Sequence, residues 1–203
     1  MNVVTNTKKL FSTANLVKIS LLSVLSFLLM MVSHSLPFFP SFLSLDISDL
    51  PAVVGTLAMG PLAGVCIELI KNLLHFILIT KTGGVGEFAN FIIGSAYVIP
   101  LGLIWKHRKN NRTFILGAFV ATVAMAVFAV LANGFILLPM YAAVMQTDVQ
   151  TFVDMGHNAL GIVNSYMTLL LFSFVPFNLI KGCVISVLGY VVYRLLRPII
   201  VNG

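Results

Sequence analysis

From Thr113 to Thr147 the chain carries no charged residue, and "FILGAFVATVAMAVFAVLANGFILLPMYAAVM" within it is apolar almost throughout. Comparable runs recur: "ISLLSVLSFLLMMV", "PAVVGTLAMGPLAGVCIELI", "FIIGSAYVIPLGLIW" and "LLLFSFVPFNLIKGCVISVLGYVVY". A helix needs roughly 17–25 mostly apolar residues to cross about 30 Å of hydrocarbon, and several of these runs reach that length. None has the ten-residue alternation of an outer-membrane barrel strand. At 203 residues, 59% hydrophobic and 9% charged, the chain holds more apolar surface than one soluble core of this length can hide. It reads as an all-α integral membrane protein, a single membrane domain over residues 1–203.

Turn signals and apolar runs predict helices over about 14–36, 50–60, 61–79, 85–106, 112–145 and 168–197. The stretch from Asp49 to Thr80 is ambiguous, since it forms either one long span or two joined at Gly60-Pro61. Charge decides. The strongest basic segment, "KHRKNNR" (Lys106 to Arg112), belongs on the cytoplasmic side with Lys8, Lys9, Arg194 and Arg197. A single crossing would put the N-terminus and that segment on opposite sides, whereas two crossings restore agreement. The expectation is therefore a compact bundle of six transmembrane helices with both termini cytoplasmic. Nine of the twelve Lys/Arg then lie at or near that face. The outer segments carry Asp46, Asp49, Glu87, Asp148 and Asp154, with Lys81 as their only basic residue. The second helix is short for a full span. Lys8, Lys9 and Lys18 before an apolar run imitate a secretory signal, but the run continues through Leu36 and reads as a retained first span. The two substantial outer loops, "PFFPSFLSLDISD" and "QTDVQTFVDMGHNALG", are the places for irregular structure.

Polar residues inside these spans are the candidates for function, because a lysine at mid-bilayer costs roughly 2.5–3.5 kcal/mol on insertion scales and needs a partner, water or a role. Helix direction and a rise of about 1.5 Å per residue place Asn90, Asn133, Asn178 and Lys181 in the outer half. Pro176 suits the first position of the last full helical stretch, where its missing N–H costs nothing. Asn178 and Lys181 then share a face. Lys71 and Asn72 fall nearer mid-depth, with Glu68 one turn below. Four helices thus aim polar groups at one region beneath the loop bearing Asp46 and Asp49. Each asparagine either bonds across to a neighbouring helix or lines a pocket. Glu68 and Lys71, at i and i+3, are spaced to neutralise each other. Lys181 has no carboxylate within a turn on its own helix, so its partner is Asp46, Asp49 or a ligand. Gly60 and Gly64, Gly117 and Ala121, and Gly182, Ser186 and Gly189 are small-residue faces for close packing. Ser20, Ser23 and Ser26 on the first helix form another, suited equally to docking a second membrane protein.

Other chemistry is excluded by what is missing. The chain has no GxxxxGK[ST], so it does not hydrolyse ATP itself, and neither GxSG nor HExxH, which disfavours an intramembrane enzyme. His34, His75, His107 and His157 are scattered without metal-ligand spacing, so no metal is assigned. Cys66 and Cys183 lie singly in apolar helices as packing residues. The net charge of +6 is distributed as topology signals, not as a nucleic-acid groove.

"LDISDLPAVVGTLAMGPLAGVCIELIKNLLH", "GVGEFANFIIGSAYVIPLGLIWK", "NGFILLPMY" and "PFNLIKGCVISVLGYVVYRLL" resemble, in order and over nearly the whole chain, the riboflavin-specific substrate-binding (S) component of energy-coupling factor (ECF) vitamin transporters. The closing "PFNxIKG" block is the most distinctive. The resemblance implies six helices in a bacterial plasma membrane and riboflavin bound near the outer face as transported substrate, with no cofactor. It also implies a complex with a transmembrane coupling subunit and two ATPase subunits. Asn133, Asn178 and Lys181 match its polar ligand-binding positions, and Leu45 and Asp46 match its first-loop contact to the flavin; Asn90 is added from the convergence above. A component for FMN or another vitamin is the alternative. Two features depart from the family pattern: serines three apart replace an AxxxA-type docking stripe on the first helix, and the loop before the last helix is longer.

Overall fold

The computed structural model describes residues 12–202. Its helices, in order, are α1 (Thr13–Met30), α2 (Leu50–Met59), α3 (Pro61–Ile79), α4 (Val85–Trp105), α5 (Asn111–Ala132), α6 (Leu138–Val144), α7 (Val149–Ala159), α8 (Tyr166–Leu169) and α9 (Val175–Asn202). Among the described residues, five helical spans are long and apolar enough to cross a membrane, with α5 running into α6 and α8 into α9 as single spans, Asn111–Val144 and Tyr166–Pro198. Lys8 and Lys9, used above for topology, lie outside the described residues.

α1 starts at Ser12, whose hydroxyl accepts from the Asn15 N–H, and ends at Met30, six residues before the predicted end. The chain then turns into a short hairpin, β1 (His34–Ser35) against β2 (Ser44–Leu45), antiparallel with His34 opposite Leu45 and Ser35 opposite Ser44. Pro37 disfavours the helical conformation at Leu36, so hydropathy alone carried the expected span too far. Ser23 and Ser26 face inward and are fully buried, Ser26 donating to the Ser48 carbonyl. Of the two readings of this face, close packing and docking, Ser23 and Ser26 follow the first; only Ser20 of the three is exposed.

The break at Gly60-Pro61 is where the sequence puts it. Gly60 has φ 108°, a left-handed backbone that favours glycine, and Pro61 opens α3. α2 has ten residues, about 15 Å, roughly half a bilayer. It is buried throughout from Pro51 to Leu57 and packs against α1, α3 and α9, so it is apolar on all sides because it has no lipid or solvent face. The small residues permit this closeness. A Cβ on Gly64 would fall on the Thr56 hydroxyl, and one on Gly189 would lie 2.7 Å from Val53 Cγ1. Gly182 meets Thr122 in the same way, at 2.7 Å, where α9 crosses α5.

Two spans contain a single wide π turn, Asn133–Leu137 and Leu170–Phe174. Each ends just before a proline: Leu138 N–H reaches back five residues to the Asn133 carbonyl, ahead of Pro139, and Val175 N–H to the Leu170 carbonyl, ahead of Pro176. The widened turn accommodates a ring that lacks an N–H and would clash with the carbonyl four residues back. Pro176 therefore sits inside a helix that continues back to Tyr166, and does not begin it as expected. The loop from Gln146 to Gly161 is also more regular than predicted: α7 is an amphipathic helix that buries Phe152, Val153 and Gly156.

Candidate functional site

Two aspartates on one short loop reach two lysines on different helices. The segment "DISD" between β2 and α2 is shaped by Asp46, whose Oδ1 accepts from the Ser48 N–H at 2.9 Å and from the Ser48 hydroxyl. Asp49 Oδ1 lies 2.5 Å from Lys71 Nζ on α3, and its Oδ2 lies 2.9 Å from Lys181 Nζ on α9. Lys181 also contacts Asp46 Oδ2 at 3.2 Å, and Lys71 contacts Glu68 Oε2 at 2.6 Å. All five groups are at most 7% exposed. Three carboxylates thus surround two ammoniums inside the bundle, so each buried lysine is paired and one carboxylate is left in excess. The Glu68–Lys71 pair expected from spacing is present, enlarged by Asp49. Glu68 is accommodated by Gly94 on α4, where a Cβ would come within 2.6 Å of its Oε2.

Above this network, at the loop end of the bundle, lies a cavity of about 500 Å³. Asp46, Asn90, Asn133, Asn178 and Lys181 all line it. Leu45 does not: it is half-exposed in β2, and its neighbours Ser44 and Asp46 face the cavity instead, as strand alternation requires. Asn133 and Asn178 each donate one amide N–H to a carbonyl one turn back, Ala129 and Phe174, both at 2.8 Å. Each keeps a carbonyl oxygen and a second N–H for whatever fills the space. Asn133 opens the first π turn, where the Tyr166 hydroxyl caps the Asn133 and Gly134 carbonyls at 3.2 and 2.8 Å.

The apolar part of the cavity was not singled out in the sequence. Phe42 from the first loop, Phe174 and Phe177 from the last span, and Leu138 form it. Phe42 packs edge-on against Phe152 of α7, with ring centroids 5.4 Å apart, and lies 6.0 Å from Phe174. The first loop covers the space, and α7 packs against that loop through Phe152. A second polar group was missed as well: His75, Thr82, Glu87 and Tyr141 also line the cavity. Its signal was faint, because these residues come from separate segments and the only local cue is Glu68, Lys71 and His75 recurring on one face of α3. Among the described residues, no group of three or more His, Cys, Asp or Glu is placed to hold a metal. The arrangement, flat apolar walls with a few convergent donors and acceptors, suits an aromatic solute with a polar edge.

Comparisons with known proteins place the chain in a family. The family model "ECF transporter, substrate-specific component" matches residues 14–193. The chain is 34% identical over 179 residues to the riboflavin transporter RibU of Staphylococcus aureus (strain TCH60), covering 88% of each. It is 32% identical over 185 residues to the riboflavin transporter FmnP of Bacillus subtilis (strain 168), covering 90% of this chain and 92% of that one. A solved S component of a bacterial ECF transporter superposes with a TM-score of 0.72 at 32% identity, over 90% of this chain and 94% of the other. The chain belongs to the substrate-specific components of ECF transporters.

Proposed function

We propose that the chain is the riboflavin-capturing membrane subunit of an ECF transporter, taking the vitamin from the outer face of a bacterial plasma membrane and releasing it inside. The observation that carries this reading is the convergence of Asn133, Asn178 and Lys181 on one roofed cavity, in a chain about one third identical to proteins named as riboflavin transporters. Lys181 and the two carboxamides supply donors and acceptors for the carbonyl and ring-nitrogen edge of the isoalloxazine, while Phe42, Phe174 and Phe177 cover its apolar surface. Asn90 and Asp46 complete the polar lining, and Leu45 belongs to the loop that closes over it. Riboflavin is substrate, not cofactor.

The bundle crosses the membrane with both termini in the cytoplasm, α2 contributing a half-length sixth helix. Support comes from the basic residues Lys106 to Arg112, Arg194 and Arg197, which gather at one end of the bundle, where the Tyr190 hydroxyl bonds Asn111. Single cysteines at Lys109, on a Cys66→Ser, Cys183→Ser background, should react with impermeant reagent only after the cells are opened. Reaction in intact cells would reverse the orientation. With no nucleotide-binding motif of its own, the chain draws energy from a transmembrane coupling subunit and two ATPase subunits.

The direct test is the visible spectrum of protein purified without dialysis, followed by titration with riboflavin. Flavin bands and saturable binding are expected, and Lys181→Ala should weaken that binding by more than about tenfold. A colourless preparation that does not take up added riboflavin would refute the reading.

A further inference from the structure

At the end of the bundle away from the cavity, six exposed cations stand together with no carboxylate among them. Lys106, Arg108, Lys109 and Arg112 lie in and beside the turn from α4 to α5, and Arg194 and Arg197 share one face of α9. Among the described residues none of the six is ion-paired, the salt bridges being made by Lys71, Lys181 and His75 instead. The sequence holds six acidic residues in all. Asp46, Asp49 and Glu87 are at the cavity, Asp148 and Asp154 belong to α7 and its N-cap at the same end, and Glu68 is buried inside the bundle.

Aromatic packing makes one patch of the two basic segments. The Tyr190 ring of α9 stacks on Phe114 of α5 with centroids 4.0 Å apart, and its hydroxyl donates to Asn111 Oδ1 at 2.7 Å. Arg194, one turn along, sets its guanidinium 5.9 Å from the Tyr190 ring centroid, while Arg112 follows Asn111 directly. The cations also border bare aliphatic surface. Ile115 and Leu116, within a turn of Arg112, are 66% and 57% exposed, and Leu195, next to Arg194, is 71% exposed.

We propose that this patch binds the headgroups of anionic phospholipids, its arginines on the phosphates and the neighbouring aliphatic side chains along the acyl chains. The inference uses no residue of the cavity and goes beyond the riboflavin reading. Like charges gathered on one surface repel one another, so an anion of fixed charge brought among them is favoured. Guanidinium groups suit phosphate because they can meet two of its oxygens with parallel hydrogen bonds. The adjoining aliphatic side chains select a lipid from among the anions. A soluble phosphate or a nucleic acid would use the charges alone, whereas a phospholipid meets a cation and an apolar surface together. The net charge of the headgroup matters as well, since a choline phosphate carries its own cation and a glycerol phosphate does not.

The test uses the full chain in detergent with four probes: phosphatidylglycerol and phosphatidylcholine of identical acyl chains, inorganic phosphate, and polyglutamate. Mass spectrometry of intact complexes gives the lipid affinities, and the shift in thermal midpoint compares all four. Phosphatidylglycerol should bind at least about tenfold more tightly than phosphatidylcholine, a ratio that shrinks severalfold between about 0.05 and 0.5 M salt. Arg108→Gln with Arg112→Gln, and separately Arg194→Gln with Arg197→Gln, should each weaken phosphatidylglycerol about tenfold and leave phosphatidylcholine unchanged. Equal affinity for the two lipids, a ratio indifferent to salt, or folded variants that keep the wild-type affinity would overturn the inference. Should neither variant fold, the wild-type ratio and its salt dependence decide alone. Inorganic phosphate as effective as phosphatidylglycerol would make this a site for free anions, and polyglutamate bound in preference to it would assign the patch to an acidic protein; either result overturns the lipid assignment.

Discussion

Lys181 of α9 and Asp49 of the first loop face each other at 2.9 Å, though they lie at opposite ends of the chain. The same carboxylate holds Lys71 with its other oxygen, so three segments meet at one aspartate. Asp49→Asn should therefore lower stability by about 3 kcal/mol, the low end for breaking a buried pair, because Glu68 and Asp46 still partner the two lysines. Thermal midpoints in detergent measure this. An unchanged midpoint would mean the network does not hold the loop down.

Asn133 and Asn178 bond their own helices through one N–H only, and the rest of each amide faces the cavity. Replacing either by Ala should weaken riboflavin about tenfold by leaving a ligand group unpaired, with the thermal midpoint nearly unchanged. Isothermal titration of each variant is decisive. A loss of stability as large as the loss of affinity would assign these residues to packing instead.

Phe42 joins the first loop to α7 and to Phe174. Phe42→Ala should raise the riboflavin dissociation rate by roughly tenfold and change association far less, as most interface changes do. Stopped-flow recovery of flavin fluorescence reads both rates. An unaltered dissociation rate would mean that the loop does not retain the solute.

Gly64 leaves no room for a side chain between α3, Thr56 and the Ala52 carbonyl. Gly64→Ala should cost about 1–3 kcal/mol by forcing α2 away from α3. Since α2 begins just after Asp49, the variant should also loosen the Lys181 contact and weaken flavin binding. Normal stability in this variant would show that the α2–α3 contact yields more readily than its geometry indicates.

The sequence makes the helical class, the break at Gly60 and the meeting of Asn133, Asn178 and Lys181 legible, because each follows from local chemistry: length of apolar runs, a glycine followed by proline, or depth along a span. What it hides is the product of long-range pairing. Glu87 reads as an acidic loop-end residue until α3 brings His75 beside it. The wide turns before Pro139 and Pro176 escape notice, since proline announces a perturbation but not whether the backbone kinks, stops or widens to absorb it. α1 overruns in the reading because the apolar run is followed through Leu36, whereas the helix ends at Met30 and Leu36 is held out of the helical region by Pro37. Ser23 and Ser26 carry no label for inside or outside, and only the partner of Ser26, the Ser48 carbonyl, reveals their side.

α2 descends from beneath the cavity and stops against Trp105, whose indole N–H donates to the Leu57 carbonyl at 2.9 Å. Below it, Trp105, Phe114, Tyr190 and Tyr193 fill the interior ring upon ring. A molecule entering from above meets these packed rings as a floor. A solute that is to leave at that end has to displace these rings or be carried by a movement of the bundle itself.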